Sequence, residues 1–212
     1  MLFFINIYFF HYVTYIWYVK ISELKNKPIK VCDLSLNDSG DNKLWNISWN
    51  ELVNKKLLKQ NNGRCYYIAV NDFIYKIGYS DSSGGIISTM NSYRNSGNAG
   101  RPSDRTHGIH VLITEELLKG NEVQVWFHYN PLISIELIRM DGVIKKIDNS
   151  ISGKILEKIN IEYYYETMGF YPIWNLQEVG KAWPLHIQES RNKLLSGTPI
   201  TIDEIKKRLD IL

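Results

Sequence analysis

The stretch Cys65–Ser80, CYYIAVNDFIYKIGYS, constrains the fold more than any other part of the chain. Two runs of β-branched and aromatic residues meet at Asn71-Asp72, a short polar joint of the kind that closes a β-hairpin. Side chains alternate between faces along each strand, so Tyr66 and Lys76 can meet across the hairpin on one face. A phenol beside an ammonium has its pKa lowered, which suits a general base. Strand tyrosines also serve as plain packing residues, so the pair by itself leaves both roles open.

The chain around this hairpin has 212 residues, of which 44% are hydrophobic. That is one globular domain with additions, or two small ones, and it can bury a core without disulfides or a structural metal. Cys32 and Cys65 lie far apart without Cys or His companions, which fits free thiols in a reducing cytosol rather than a zinc site. Twenty-five basic against 22 acidic residues give a net charge of +3, which excludes a histone-like polycation and an acidic tail but leaves room for local basic patches.

Residues 2–19 carry no charge, and Lys20 follows. At about 18 residues the run is just long enough to span a bilayer. It lacks the basic start and the small-residue cleavage site of a secretory signal. Asn6, His11 and Thr14 dilute it, and its nine aromatics favour an interface or a sheet. A membrane anchor, a packed apolar segment and a leader without function all remain open. If the run inserts, Lys20 keeps the rest of the chain cytoplasmic.

Residues 20–62 are polar, and ISWNELVNKKLLKQNNG within them predicts a short amphipathic helix. Leu52, Val53, Leu57 and Leu58 form its apolar side, and Asn61-Asn62-Gly63 ends it. After the hairpin, DSSGGIISTMNSY turns into a helix with Ile86, Ile87 and Met90 inward. Residues 94–108 read as a Gly/Asn/Pro/Arg loop. HVLI and EVQVWFHY read as strands flanking a helical turn, ITEELLKG. Asp141-Gly142 marks a second hairpin. GKILEKINIEYYYETMG has helical spacing through Ile155, Ile159 and Tyr163 and stops at Gly169. In the terminal helix Thr201 and Glu204 have capping-box spacing. The class is α+β, with a small central antiparallel sheet, flanking helices, an extra hairpin and terminal helices.

Three of the seven arginines, Arg94, Arg101 and Arg105, fall in the 94–108 loop beside Gly97 and Gly100. A loop of this kind suits contacts to DNA phosphates and guanine edges, and equally suits plain solvation. His107 and His110 have no third ligand nearby in sequence, so they read as a loop and a strand histidine rather than a metal pair.

The hairpin resembles the two-strand signature of the GIY-YIG nuclease superfamily. There a Tyr-containing strand is followed about ten residues later by a (Y/K)IG strand, then a helix and a distant catalytic glutamate. With Tyr75-Lys76-Ile77-Gly78 and a later Lys154-Ile155-Leu156-Glu157 closed by Pro172, the chain is similar to the superfamily's small type II restriction endonucleases over roughly residues 52–175. The resemblance implies a nuclease domain at 63–175, after an apolar leader or anchor at 1–19 and a helical, polar extension at 20–62. A helical tail at 176–212 follows it. It further implies Tyr66 as the base that activates water, Lys76 lowering the phenol's pKa, and Tyr93 hydrogen-bonding the phosphate. Glu157 would hold Mg²⁺ (or Mn²⁺). Double-stranded DNA is the implied substrate, a homodimer matching palindromic sites the implied assembly, and the cytoplasm the implied location.

The chain departs from the family in one place. Family members carry an arginine four residues before the tyrosine matched by Tyr93, and here that position is Thr89. Arg94 is nearest, but five helical residues place it roughly 140° around the axis. A working nuclease using Arg94, a natural degenerate and a disarmed variant all remain open. So does a non-catalytic DNA-binding module that keeps the fold, against which the retained Tyr66, Lys76 and Glu157 stand.

Overall fold

Strand β3 (Arg64–Val70) is buried along its whole length, and the sheet is built around it. The computed structural model describes residues 18–37, 43–59, 62–98, 100–129 and 132–211. Of the apolar run 2–19, all but Tyr18 and Val19 lies outside the described residues. Among the described residues no helix is long and apolar enough to cross a membrane.

β3 turns back into β4 (Phe73–Ser80) through Asn71 and Asp72, whose φ angles of 48° and 72° are those a tight hairpin needs. On its other side β3 pairs with β5 (Val123–Tyr129), followed by β1 (Ile29–Leu36) and β2 (Trp45–Trp49). The order is β2-β1-β5-β3-β4 and all neighbours are antiparallel. A separate ribbon pairs β6 (Leu132–Ile138) with β7 (Ile144–Ser150) across Asp141-Gly142.

Six α-helices among the described residues complete the fold. They are α1 (Lys55–Lys59), α2 (Gly85–Asn95), α3 (Asp104–Leu118), α4 (Gly153–Met168), α5 (Leu185–Leu195) and α6 (Ile202–Arg208). On one face of the sheet Ile86 and Met90 of α2 and Ile109 and Ile113 of α3 join Tyr66, Ile68, Val125 and Phe127 in the main core. On the other face Ile161 and Tyr164 of α4 cover Cys65, Tyr67, Ala69 and Ile77. Burying an aliphatic or aromatic side chain of this kind contributes about 1.5–3 kcal/mol, so both faces of β3 are firmly held. Both cysteines are free and buried.

The α+β class, the two hairpins and the terminal helix agree with the sequence reading, down to the Thr201–Glu204 capping box. Several elements differ. The helix expected from Ile47 onward is instead strand β2, a turn, and the five-residue α1, with Leu52 95% exposed. Trp45 and its strand partners on β1 supply burial that the local pattern does not show. β1 itself sits in a segment that reads as polar, because Lys30 and Asp33 pair with each other at 2.7 Å on its outer side.

HVLI is helix, not strand. α3 starts at the Ser103 cap, whose hydroxyl accepts from the Thr106 N–H at 3.1 Å, and it runs through the supposed loop end and the supposed strand. It is buried on nearly every side, so packing overrides the β preference of its residues. In α4 the expected apolar stripe faces outward, with Ile155, Ile159 and Tyr163 all exposed. The inward row is Gly153, Glu157, Ile161 and Tyr164.

Candidate active site

Tyr66 reaches the site because position 78 has no side chain. The register sets Tyr66 opposite Gly78, and a Cβ on Gly78 would lie 2.4 Å from the Tyr66 ring end and hydroxyl. The glycine therefore lets the phenol lie flat across the edge strand. Tyr93 comes from the inward row of α2, one turn beyond Met90, and its hydroxyl is 2.6 Å from that of Tyr66. The two phenols form part of a cleft of about 340 Å³ with Ser80, Thr89, Arg105 and Thr106.

Glu157 arrives from the opposite face of the sheet. Asp81, the residue after β4, accepts from the Gly153 N–H at 2.9 Å and from the Ser152 hydroxyl at 3.0 Å. A carboxylate there caps α4 and favours its N-terminal dipole. Glu157 sits one turn further on, 8% exposed, in the inward row. Its Oε1 accepts from Arg105 at 3.4 Å, and Oε2 makes no hydrogen bond among the described residues. The Arg105–Glu157 pair joins the cleft to a groove lined by Lys154, Lys158, Glu162, Tyr171 and Glu178.

Burial raises the Tyr66 phenol well above its ordinary pKa; the Tyr93 phenol adds to this and the Arg105 charge opposes it. Tyr93 is raised by the same burial, again against Arg105. Burial acts against the charge on Arg105, but the two phenols and Glu157 outweigh it and keep the guanidinium protonated. The Glu157 carboxyl is raised by burial, opposed by Arg105 and Lys76. Lys76 is 2% exposed; burial and then Arg105 lower its pKa, while Glu157 and Glu178 raise it.

The cation facing Tyr66 is thus Arg105, not Lys76. The register places Lys76 opposite Ile68, and its Nζ donates to the Ile77 carbonyl at 3.3 Å. The phenol is raised rather than lowered, because desolvation of a fully buried hydroxyl exceeds what one cation returns. The three loop arginines are not brought together. Arg105 points into the cleft, while Arg101 is exposed beside Leu194 and Gly197. Arg94 is half-buried on the last turn of α2 and is absent from the cleft lining. His107 and His110 both lie inside α3. His107 bonds the Ser190 hydroxyl at 2.7 Å, and both are core residues. No group of three or more His, Cys, Asp or Glu among the described residues has metal-binding geometry.

Sequence reasoning missed three positioning residues. Asp81 holds α4. Asn175 donates to the Ile77 carbonyl at 2.8 Å and accepts from the Ile77 N–H at 2.9 Å, which satisfies the free edge of β4 beside Gly78. Arg191 on α5 donates to the Pro102 carbonyl at 2.9 Å and pairs with Asp104 at 3.0 Å, pinning the start of α3 and with it Arg105. These contacts join residues 71 to 98 positions apart, so no local pattern announces them.

No family model matches the chain, and no curated protein matches it. Among solved structures it is similar to a mutant of bacteriophage T4 EndoII, at 23% identity and a TM-score of 0.44, covering 70% of this chain and 90% of that one. It is also similar to the restriction endonuclease HPY188I in complex with product DNA, at 24% identity and a TM-score of 0.40, covering 74% and 85%.

Proposed function

We propose that the protein is a divalent-metal-dependent DNA endonuclease of the GIY-YIG type that hydrolyses phosphodiester bonds in duplex DNA. The observation that carries this reading is the convergence of Tyr66, Tyr93 and Arg105 on one open cleft, with Glu157 of the adjoining groove bonded to Arg105, the four coming from four different elements. A structural core has no use for two hydroxyls, a guanidinium and a carboxylate gathered at an opening. Phosphodiester hydrolysis needs such a set: a base for water, donors for the phosphoryl oxygens and an anchor for a cation.

In this reading Tyr66 acts as its phenolate: its Oη takes a proton from a water in the cleft while that water's oxygen bonds to phosphorus and the bond from phosphorus to the 3′-oxygen breaks. Arg105 faces the Tyr66 oxygen and favours its anionic form, while Tyr93 fixes its position. Tyr93 also donates to a phosphoryl oxygen. Lys76, whose charge acts on Glu157, orients the carboxylate and the water beside it. Glu157 would hold Mg²⁺ (or Mn²⁺): its free Oε2 is a hard oxygen donor, and Mg²⁺ keeps most of its own waters, so one carboxylate is enough. When bound, such an ion stabilises charge on the leaving 3′-oxygen. We take 63–175 as the catalytic unit, with 20–62 and 176–212 as its buttresses, and a homodimer as the form that reads two-fold sites.

The test is incubation of mixed-sequence duplex DNA with the protein and Mg²⁺, beside Glu157→Ala and an EDTA control. Discrete fragments from the parent alone, with DNA binding retained by Glu157→Ala, are expected. Cleavage that persists in EDTA or in Glu157→Ala would contradict the reading.

A further inference from the structure

Any phosphate that enters between Tyr66, Tyr93 and Glu157 brings a negative charge next to a carboxylate, and something in the cleft must neutralise it. Helix α2 offers nothing for this. Thr89 faces the cleft, and its hydroxyl is 2.6 Å from that of Ser80. Among the described residues lining the cleft, Arg105 is the one cation, and its side chain is 31% exposed and so reachable. The sole carboxylate in the same lining, Asp81, is engaged with α4.

We propose that Arg105, entering from α3 rather than α2, is the arginine that binds the scissile phosphate and stabilises its transition-state charge. Its bond to Glu157 parks the guanidinium until the phosphate arrives. This deepens the nuclease reading and rests on it. Three observations carry it. The guanidinium lines the cleft and faces both hydroxyls and the carboxylate at once, so it borders the space a phosphate would enter. Its helix start is fixed by Ser103 and by Arg191, so the charge is held in place beforehand. The contact to Glu157 is long, 3.4 Å, and a guanidinium has five donors, so one contact can be exchanged for a phosphoryl oxygen at little cost.

The test compares the full chain with Arg105→Ala, Arg105→Lys and Thr89→Arg/Arg105→Ala on one duplex. Binding is followed in EDTA over a range of salt, and cleavage in Mg²⁺ at saturating protein. Arg105→Ala should cut on the order of 10²–10³ times more slowly. Its salt slope for binding should fall by about 0.9, the share of one phosphate contact. Arg105→Lys, which keeps the charge and so guards against a folding artefact, should keep the salt slope but lose most of the rate, because an ammonium lacks the planar fork. Adding Thr89→Arg to Arg105→Ala should return part of the lost rate, because it sets a guanidinium on the α2 side of the same cleft. Cleavage by Arg105→Ala at the parent rate, or an unchanged salt slope, overturns the assignment of Arg105 while leaving the nuclease reading intact. A parent chain that neither binds nor cuts DNA overturns both.

Discussion

The hydroxyls of Tyr66 and Tyr93 lie 2.6 Å apart, although the residues sit 27 positions apart on a strand and a helix. This bond ties the hairpin to α2 and fixes where the cleft floor is. Because Tyr66 is buried, its oxygen has few partners to choose from, and the position of that oxygen is set by Tyr93 on one side and by the space above Gly78 on the other.

That space is the first prediction. A Cβ at position 78 would lie 2.4 Å from the Tyr66 hydroxyl and ring end, so Gly78→Ala must push the ring away. We expect a loss of cleavage of about 10²-fold, since an ångström of misplacement has that effect. Urea unfolding should show a cost of about 1–3 kcal/mol for the overpacking. Parent-like activity in a folded Gly78→Ala would mean that Tyr66 need not sit where it does.

Asn175 gives the second. Its amide satisfies both backbone groups of Ile77, and both bonds are buried. Asn175→Leu keeps the volume but leaves an N–H and a C=O unpaired, with an expected cost of about 2–4 kcal/mol in urea unfolding. A change below about 0.5 kcal/mol would show that another group covers this edge.

The third concerns pH. His110 is fully buried against Trp45, and burial, helped by His107, depresses its pKa to about 3. The unfolded chain takes up a proton near pH 6.5 that the folded protein refuses, so stability present above that pH is lost as the pH falls toward 3. His107 and His128 are lowered too and act in the same direction. Thermal midpoints recorded between about pH 7.5 and 5 should therefore fall. The fall should be shallower in His110→Leu; an identical slope in the two proteins would show that His110 carries no part of it.

Part of this molecule can be read from its sequence. The Asn71-Asp72 turn, the Asp141-Gly142 ribbon and the Thr201–Glu204 box are local chemistry, and each forms. Tyr66 and Tyr93, matched by spacing, meet. α3 does not read as a helix because it is buried on nearly every side and so lacks a polar face to mark its period. Arg105 reads as one of three loop arginines suited to DNA, and its place in the cleft is hidden for a related reason: it follows a Gly/Asn/Pro stretch that signals a loop, and its contact with Glu157 spans 52 positions. Glu157 is named by the resemblance and not by the local pattern, because it is the polar member of an inward row whose outward neighbours are the more apolar ones.

We propose that Tyr66 takes the proton from water, and one comparison tests this role directly. The most direct measurement is the single-turnover cleavage rate of duplex DNA in Mg²⁺ by the parent and by Tyr66→Phe, at equal DNA occupancy. A general base contributes about 10²–10⁴-fold, so Tyr66→Phe should cut slower by that factor while binding DNA as the parent does. A Tyr66→Phe protein that cuts at the parent rate, or a parent that leaves the duplex uncut, would contradict the account.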